Sequence, residues 1–327
     1  TPENTRLLKF LPDTLKNVRK LYDLDNVEKM NESINILDDW VKKQSHFVMK
    51  EFPRDYLERT IITCKGSVER AKVRLERNCT LKTLLPKFFE KSNYRDDLRN
   101  LSVCRRVKTL ILTDRQTDIC LGYIIIISVL LNFLFLCPFF TILLSIVNVY
   151  IFCFELSEYL LGHDYCAGFI TIFDYIDLPT ILDLVTQLNV IEMRQAIQIL
   201  MEGYGMRLKG LYIISQSKMI EALVMLVKQA LSEKLHQRIH VVKTREAMTE
   251  YISKEILPEE YGGNESSIVK LHRKYSKYLI ILLSSEEHIE YFKKMSRAAT
   301  DESLRSRDQL ASEYMGLSGT FRTLNLD

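Results

Sequence analysis

The feature that most constrains this chain is a run from Ile119 to Phe154 that contains no Asp, Glu, Lys, Arg or His. As a single helix the run would be about 54 Å long, whereas the hydrocarbon core of a bilayer is about 30 Å thick. A membrane span of about 20 residues would therefore fit inside it. Pro138 divides the run, so a re-entrant hairpin with two short halves is an alternative.

The composition and flanks of the run suggest a different origin. Basic residues precede it and acidic residues follow it, so a single span would keep the N-terminal side cytoplasmic and would split one folded domain across the bilayer. The run has no Ala, and Phe, Leu, Ile and Val all have U at the second codon position. A U-rich non-coding stretch translated in frame would look like this. We therefore favour a retained intron or mis-joined gene segment, ahead of a true membrane segment and then of a buried native element.

Outside the run, the composition is that of a globular protein. The chain has 327 residues, 47% of them hydrophobic and 27% charged, which suits one large domain or two smaller ones with an ordinary core. The net charge of +3 gives no overall field for nucleic acid. The seven cysteines are scattered and form no C-x-x-C pair, which indicates free thiols in a reducing, cytoplasmic compartment.

The hydrophobic period changes along the chain. Up to about residue 90 apolar residues recur at helical spacing, and Ser67 is a candidate N-cap, which predicts a small helical bundle. Further on, short apolar runs rich in β-branched residues alternate with helical segments, which predicts parallel βαβ units. Strands are predicted at 106–112, 168–174, 210–215 and 238–242, and helices at about 180–201, 217–237, 244–256 and after 265.

Sequence signals for catalysis are absent. There is no glycine-rich nucleotide loop and no G-x-S-x-G elbow. His236 and His240 have metal-ligand spacing, but HQRIH lacks the glutamate of a zincin, so we expect no metal site. Asp174 and Asp177 follow a predicted strand, where aspartates more often cap or form a turn than act as paired acids. The sequence therefore indicates a binding protein with no catalytic residues and no cofactor.

Two features indicate what is bound. The segment from Lys218 to Leu231 is apolar around most of its circumference, so it is either a core helix or a cover over an apolar cavity. Between Gly205 and Arg245 there are eight basic residues and only two acidic ones. That excess is either a solvated helix face or a patch for anionic lipid head groups.

The motif KEILPEEYGG at 254–263 resembles the closing signature of the CRAL-TRIO lipid-binding family, which includes the α-tocopherol and retinaldehyde carriers. AGFITIFDYIDL, GMRLKGLYIIS and SEKLHQRIHVV resemble its core segments in the same order, and GTFRTLNLD resembles the ends of insect members of the α-tocopherol carrier branch. The resemblance covers most of 30–90 and 155–327. Two prolines frequent in the family, one after the strand and one in the gate helix, are missing from SQSK and VKQA.

The resemblance implies an α/β fold in which an N-terminal helical bundle precedes a CRAL-TRIO α/β/α sandwich with parallel strands and a gate helix. We expect the helical module at 1–95, the lipid-binding core at 96–265 with the uncharged run 119–154 interrupting it, and a C-terminal helix and tail at 266–327.

The resemblance also implies a non-enzymatic, monomeric carrier of a tocopherol-, retinoid- or carotenoid-like lipid that is cytoplasmic and peripheral to membranes. The alternative is a membrane-anchored phosphoinositide-binding adaptor with the run as a transmembrane or re-entrant segment, and therefore an integral membrane protein. By the resemblance, phosphatidylinositol bisphosphate would contact Arg207, Lys209, Lys234 and Arg238. Strand residues that line or back the pocket would be Phe169, Ile170, Ile172, Ile213 and Ile214, and gate residues would be Met219, Ile220, Leu223, Val224 and Val227.

Overall fold

The computed structural model describes residues 14–89, 107–113, 123–129, 146–163, 169–176, 189–229, 231–271 and 285–305. The N-terminal helices are α1 (Thr14–Leu21), α2 (Val27–Lys43), α3 (Arg54–Thr63) and α4 (Val68–Leu84).

The predicted helical module is observed, and its helices begin where side chains cap them. The Asn26 side chain accepts hydrogen bonds from the first free N–H groups of α2. Ser67 Oγ accepts from Arg70 N at 3.3 Å and caps α4, as its position in the sequence predicts. One apolar stripe of α2 is buried against the neighbouring helices, and it consists of Met30, Ile34, Leu37 and Val41.

A five-stranded sheet forms the core, with the strands in chain order. β1 is antiparallel to β2, and each following strand is parallel to its neighbour, as the alternation of strands and helices predicts. The strands are β1 (Val107–Thr113), β2 (Tyr123–Val129), β3 (Phe169–Asp174), β4 (Leu208–Ile214) and β5 (Ile239–Val242).

The helices of the core differ from the sequence expectation in two places. The predicted helix 180–201 is described only from residue 189, and it ends in a π-helical turn at Ile199–Gly203. The predicted helix 244–256 is wrong, because only a 3₁₀ turn forms at Glu246–Glu250, and burial of neighbouring apolar side chains against the sheet overrides helix propensity there. The observed helices are α5 (Ile146–His163), α6 (Val190–Gln198), α7 (Lys218–Gln229), α8 (Glu233–His236) and α9 (Glu286–Ser296).

The uncharged run supplies two elements of the fold. β2 pairs with β1 on one side and β3 on the other, and α5 buries Ile151 and Phe154. These two segments thus pack as elements of the domain, the alternative that the sequence ranked last, whereas the origin of the run in a retained intron or mis-joined gene segment stays a prediction. β2 lies between β1 and β3 and carries no charged residue, and a continuous apolar run is typical of such an internal parallel strand. The middle of the run, 130–145, lies outside the described residues.

The membrane interpretation also finds no support in the described part of the chain. None of the helices there is both long enough and apolar enough to cross a bilayer.

The two sides of the sheet have different neighbours. One side, which we call the α7 face, presents Leu211, Ile213 and Val241 to α7. Alternate residues of the same strands form the other side, which we call the closed face, and the segment 248–271 packs against it. The buried strand residues of the closed face are Ile172, Tyr212, Ile214 and Val242.

Candidate functional site

The helix α7 contacts the sheet along one edge only. Ile220 and Val224 are 1% and 7% exposed and pack with Ile239 of β5. On the outer edge Met225 and Leu226 are 65% and 64% exposed. Of the two alternatives that the sequence left open, a core helix buried on all sides does not fit this exposed outer edge. The helix is a cover that is held on one side and is apolar on the side facing solvent.

The sheet under α7 is only partly covered. Phe173, Leu211, Ile213 and Val241 are all half-buried, although their neighbours Ile172 and Ile214 on the closed face are fully buried. Apolar side chains left half-buried beneath a helix form a surface that a small hydrophobic molecule could cover, with a gain of roughly 25 cal/mol per Å² of apolar area.

The predicted pocket and gate residues fall into separate groups. Ile213, Ile220 and Val224 lie together on the α7 face, and Leu223 and Val227 are half-buried along α7. Ile170, Ile172 and Ile214 lie on the closed face and back the sheet. Phe169 is buried at the start of β3, and Met219 is exposed. Contact of these residues with a ligand stays a prediction.

Serines start α7 where the family often has a proline. Ser215 Oγ accepts from Ser217 N at 3.2 Å, and Ser217 Oγ accepts from Met219 N at 3.2 Å. Such hydroxyl turns satisfy N–H groups at the start of a helix without fixing the backbone as a proline ring does. The start of α7 is therefore held by hydrogen bonds and not by a proline ring.

Of the four predicted head-group residues, Arg207, Lys209 and Arg238 lie at the start of β4, whereas Lys234 lies in α8. Arg207 Nη2 donates to Thr63 O at 2.6 Å, and Arg238 Nη1 donates to Leu208 O at 2.6 Å. These carbonyl bonds fix both guanidinium groups. Lys209 and Lys234 are exposed, and neither makes a hydrogen bond or ion pair within the described part of the chain.

A fifth basic residue joins this cluster from the N-terminal module. Arg74 of α4 donates from Nη1 to Thr63 Oγ1 at 2.8 Å, so Arg74 and Arg207 bind the same residue. A Cβ on Gly205 would lie 2.1 Å from Arg74 Cζ, so glycine makes room for the guanidinium group. Burial lowers the pKa of Arg74, and the charge of Arg207 lowers it further. Sequence reasoning missed Arg74 because it lies far from the motif in the chain.

Part of the chain that contains this arrangement matches a known protein family. A family model described as "CRAL/TRIO domain" matches residues 138–263, which include β3 to β5, α7 and the four predicted head-group residues. Residues 138–263 are therefore similar to a CRAL-TRIO domain. This match supports the CRAL-TRIO resemblance of the sequence, whereas the α-tocopherol carrier branch stays a prediction, and lipid binding and transfer is the general activity of CRAL-TRIO proteins.

Two further similarities accompany the CRAL-TRIO match. A model described as "Pinta-like, UBA domain" matches residues 26–98, which include α2 to α4. A crystal structure of Sfh5 is similar over 86% of this chain and 100% of its own, at 15% sequence identity and a TM-score of 0.37.

The predicted closing motif, KEILPEEYGG, is hydrogen-bonded to the end of β3 through Tyr261. Asp174 Oδ2 accepts from Tyr261 Oη at 2.9 Å and from Arg245 Nε at 2.6 Å. Its Oδ1 accepts from Ile176 N at 3.1 Å, the turn contact expected from the sequence, whereas Asp177 lies outside the described residues. Burial raises the pKa of Tyr261, and the carboxylate of Asp174 raises it further.

The two glycines of the closing motif are required by its backbone. Gly262 has a φ of 74°, the left-handed conformation that glycine adopts without strain. A Cβ on Gly263 would lie 1.9 Å from the carbonyl oxygen of Leu257, so no side chain fits there. The hydrogen bond of Tyr261 and the space available at Gly262 and Gly263 therefore explain why this motif ends in YGG.

The two histidines with metal-ligand spacing, His236 and His240, have different neighbours. His236 lies 3.9 Å from Glu233, whereas the ring of His240 stacks on Tyr212 with centroids 5.3 Å apart. Within the described ranges, no group of three or more His, Cys, Asp or Glu side chains could hold a metal ion.

Proposed function

We propose that this protein carries a small hydrophobic lipid, of the tocopherol, retinoid or carotenoid kind, and docks on membranes by binding phosphoinositide head groups. The observation that carries the proposal is the position of α7. It lies over a half-covered apolar face of a CRAL-TRIO sheet, in a segment of the chain that also supplies a basic cluster.

The small number of contacts that hold α7 supports a gate. Only Ile220 and Val224 are buried on this helix, and burial of one such side chain stabilises by roughly 1.5–3 kcal/mol. An opening that exposes two side chains costs about 3–6 kcal/mol on this scale, which a bound lipid or a membrane can offset. A core helix with its apolar surface buried all round would cost far more to move.

The basic cluster suits a head group with more than one phosphate. The forked guanidinium groups of Arg207 and Arg238 are held in place by carbonyls, which favours bidentate contact with phosphate oxygens. Lys209 and Lys234 add mobile point charges at the surface. Arg74 adds a positive charge from the N-terminal module beside Arg207.

Charge reversal at the two exposed lysines tests the docking half of the proposal. Each Lys near an anionic surface contributes about 1 kcal/mol, so Lys209→Glu and Lys234→Glu should each weaken binding to phosphatidylcholine vesicles containing phosphatidylinositol bisphosphate by about fivefold or more. Vesicle co-sedimentation measures this.

Lys29→Glu, a reversal at an exposed residue of α2, is the matched control and should cost less. Equal losses in all three variants would mean that net charge alone drives binding. Equal binding to phosphatidylserine vesicles of the same charge would remove the preference for phosphoinositides.

Native mass spectrometry tests the carrier half of the proposal. The protein purified from its own tissue should carry one apolar molecule, and Ile213→Glu should remove it, because a carboxylate on the α7 face opposes an apolar ligand. Met225→Glu places the same charge on the exposed edge of α7 and should leave the ligand bound. A protein that is empty yet binds phosphoinositide vesicles would be an adaptor, and the carrier function would be wrong.

A further inference from the structure

Two histidines stack where the C-terminal helix meets the rest of the molecule. His163 is the last residue of α5, and His288 lies in the first turn of α9. Their ring centroids are 5.5 Å apart and the planes are 24° from parallel. Tyr159 stacks on His163 at 4.4 Å, and Tyr291 contacts the same ring edge-on at 5.0 Å. The imidazoles therefore form part of the packed joint between α5 and α9.

The hydrogen bonds of the pair suit two neutral rings. His163 Nδ1 lies 2.9 Å from the carbonyl oxygen of Tyr159, which can only accept, so this nitrogen carries the proton. His288 Nδ1 lies 2.7 Å from Ser285 Oγ. His288 Nε2 is buried and meets no hydrogen-bond partner among the described residues. A proton added at His288 Nε2 would be a charged donor in a site that gives it nothing to bind.

Among the described residues, the charges that face the pair come from α3 and α9. On α3, Arg59 donates to Gly162 O and disfavours a charged His163, whereas Asp55 favours it. On α9, Glu287 favours protonation of both rings. Burial outweighs these carboxylates and lowers the pKa of both histidines below the ordinary value, and a charged His163 would lower that of His288 further.

We propose that the His163–His288 pair is a pH switch that keeps α9 docked on α5 while both rings are neutral and releases α9 when both are protonated. Two positive charges in a stack 5.5 Å apart repel each other, and release lets water solvate them.

Release of α9 would open the seam between the N-terminal module and α5. Phe292 and Met295 of α9 are buried there, and Lys82 Nζ donates to Met295 O at 3.1 Å. Tyr291 Oη donates to Glu158 O at 3.3 Å. A small cavity of about 30 Å³ lies behind these residues, with Lys82 and Glu158 in its wall, so undocking would hydrate a buried ion pair as well as apolar side chains.

The sign of the pH effect follows from linkage. Because both docked-state pKa values are lowered, the undocked helix binds protons first as the pH falls. Docking is therefore unaffected well above the ordinary value of 6.5 and weakens below it until the docked-state pKa values are passed. The docking equilibrium falls by up to about tenfold per pH unit for one proton and about a hundredfold for two.

Hydrogen exchange on the full-length chain tests the switch. We expect amides of α9 to lose protection between neutral pH and about pH 5, after correction for the intrinsic pH dependence of exchange, while amides of α2 keep theirs. In the double variant His163→Phe with His288→Phe the stacked rings remain but cannot titrate, so α9 should stay protected. His236→Phe, at a histidine of α8 whose side chain is 46% exposed, is the matched control and should behave as the wild type.

Two results would overturn the proposal. One is unchanged protection of α9 in the wild type as the pH falls. The other is a titration of the wild-type imidazoles, followed by NMR, in which His163 and His288 titrate at or above the ordinary value of 6.5. The second measurement needs no variant, so it decides the matter even if the double variant fails to fold.

Discussion

The two faces of the sheet are made by alternate residues of the same strands, yet they are covered in different ways. On the closed face, Met248, Leu257 and Tyr261 are fully buried over the strands. On the α7 face, the strand residues stay half-buried, and α7 contributes only Ile220 and Val224 to the contact. The closed face is thus fully packed, whereas the α7 face is only partly covered.

This difference suggests how one domain combines stability with a movable cover. The closed face has hydrogen bonds from Asp174 to the closing motif in addition to apolar packing. On the α7 face, α7 begins at serine turns and its outer edge is apolar but exposed. The contacts of the closed face therefore contribute more to the stability of the domain than those of the α7 face. Opening of α7, where a ligand would enter, costs correspondingly less.

The largest expected effect is the loss of packing on the closed face. Leu257 is 0% exposed, so Leu257→Ala should lower the free energy of unfolding by about 2–5 kcal/mol through lost burial and a residual cavity. Urea unfolding measures it. Leu226→Ala on α7 makes the same chemical change at an exposed residue and should cost less than about 0.5 kcal/mol. Similar losses in the two variants would mean that the faces do not differ.

The next effect tests the polar tie of the closed face. Tyr261→Phe removes the hydroxyl that donates to the buried carboxylate of Asp174 and should cost about 1.5–3 kcal/mol, the range for hydrogen bonds to charged groups. Tyr251→Phe removes a hydroxyl from a residue that is 46% exposed and is the matched control, with almost no expected cost. A neutral Tyr261→Phe would show that Arg245 and the turn hold Asp174 without the tyrosine.

Much of the closed face could be predicted from the sequence. The strands were evident from short β-branched runs, and KEILPEEYGG marked the end of the domain. The sequence did not assign β2 and α5 to the fold, because β2 carries no charged residue and α5 has its acidic residues only after its apolar start, so the local pattern suggested a translated non-coding stretch or a membrane segment. The predicted helix 244–256 was wrong because burial of Met248 and Ile252 decided the backbone there.

The candidate site was less predictable than the fold. The helix α7 was located from its composition, but its exposed outer edge depends on which neighbours cover it, and composition does not contain that information. Which isoleucines face α7 depends on strand register, because one residue of shift exchanges the two faces. Arg74 approaches the basic cluster through a tertiary contact with Gly205, and no local pattern marks such a contact.

A smaller effect is expected for a change that loosens only α7. Ile220→Val removes one methylene from its buried edge and should cost about 0.5–1.5 kcal/mol. If α7 opens independently, the variant should speed hydrogen exchange in α7 without changing exchange at β3 and β4. Ile214→Val on the closed face is the matched control, and it should lower protection across the sheet. Faster exchange throughout the domain in Ile220→Val would mean that α7 unfolds only with the whole core.

The smallest effect on stability should accompany a clear loss of membrane binding. Met225→Gln and Leu226→Gln keep good helix formers on the exposed edge of α7, so the free energy of unfolding should change by less than about 0.5 kcal/mol. If this edge enters the interface of a membrane, removal of its apolar surface weakens vesicle binding even at high salt, where the basic cluster is screened. Unchanged binding at high salt would assign docking to the basic residues alone, and the exposed edge of α7 would then serve only the opening of the cover.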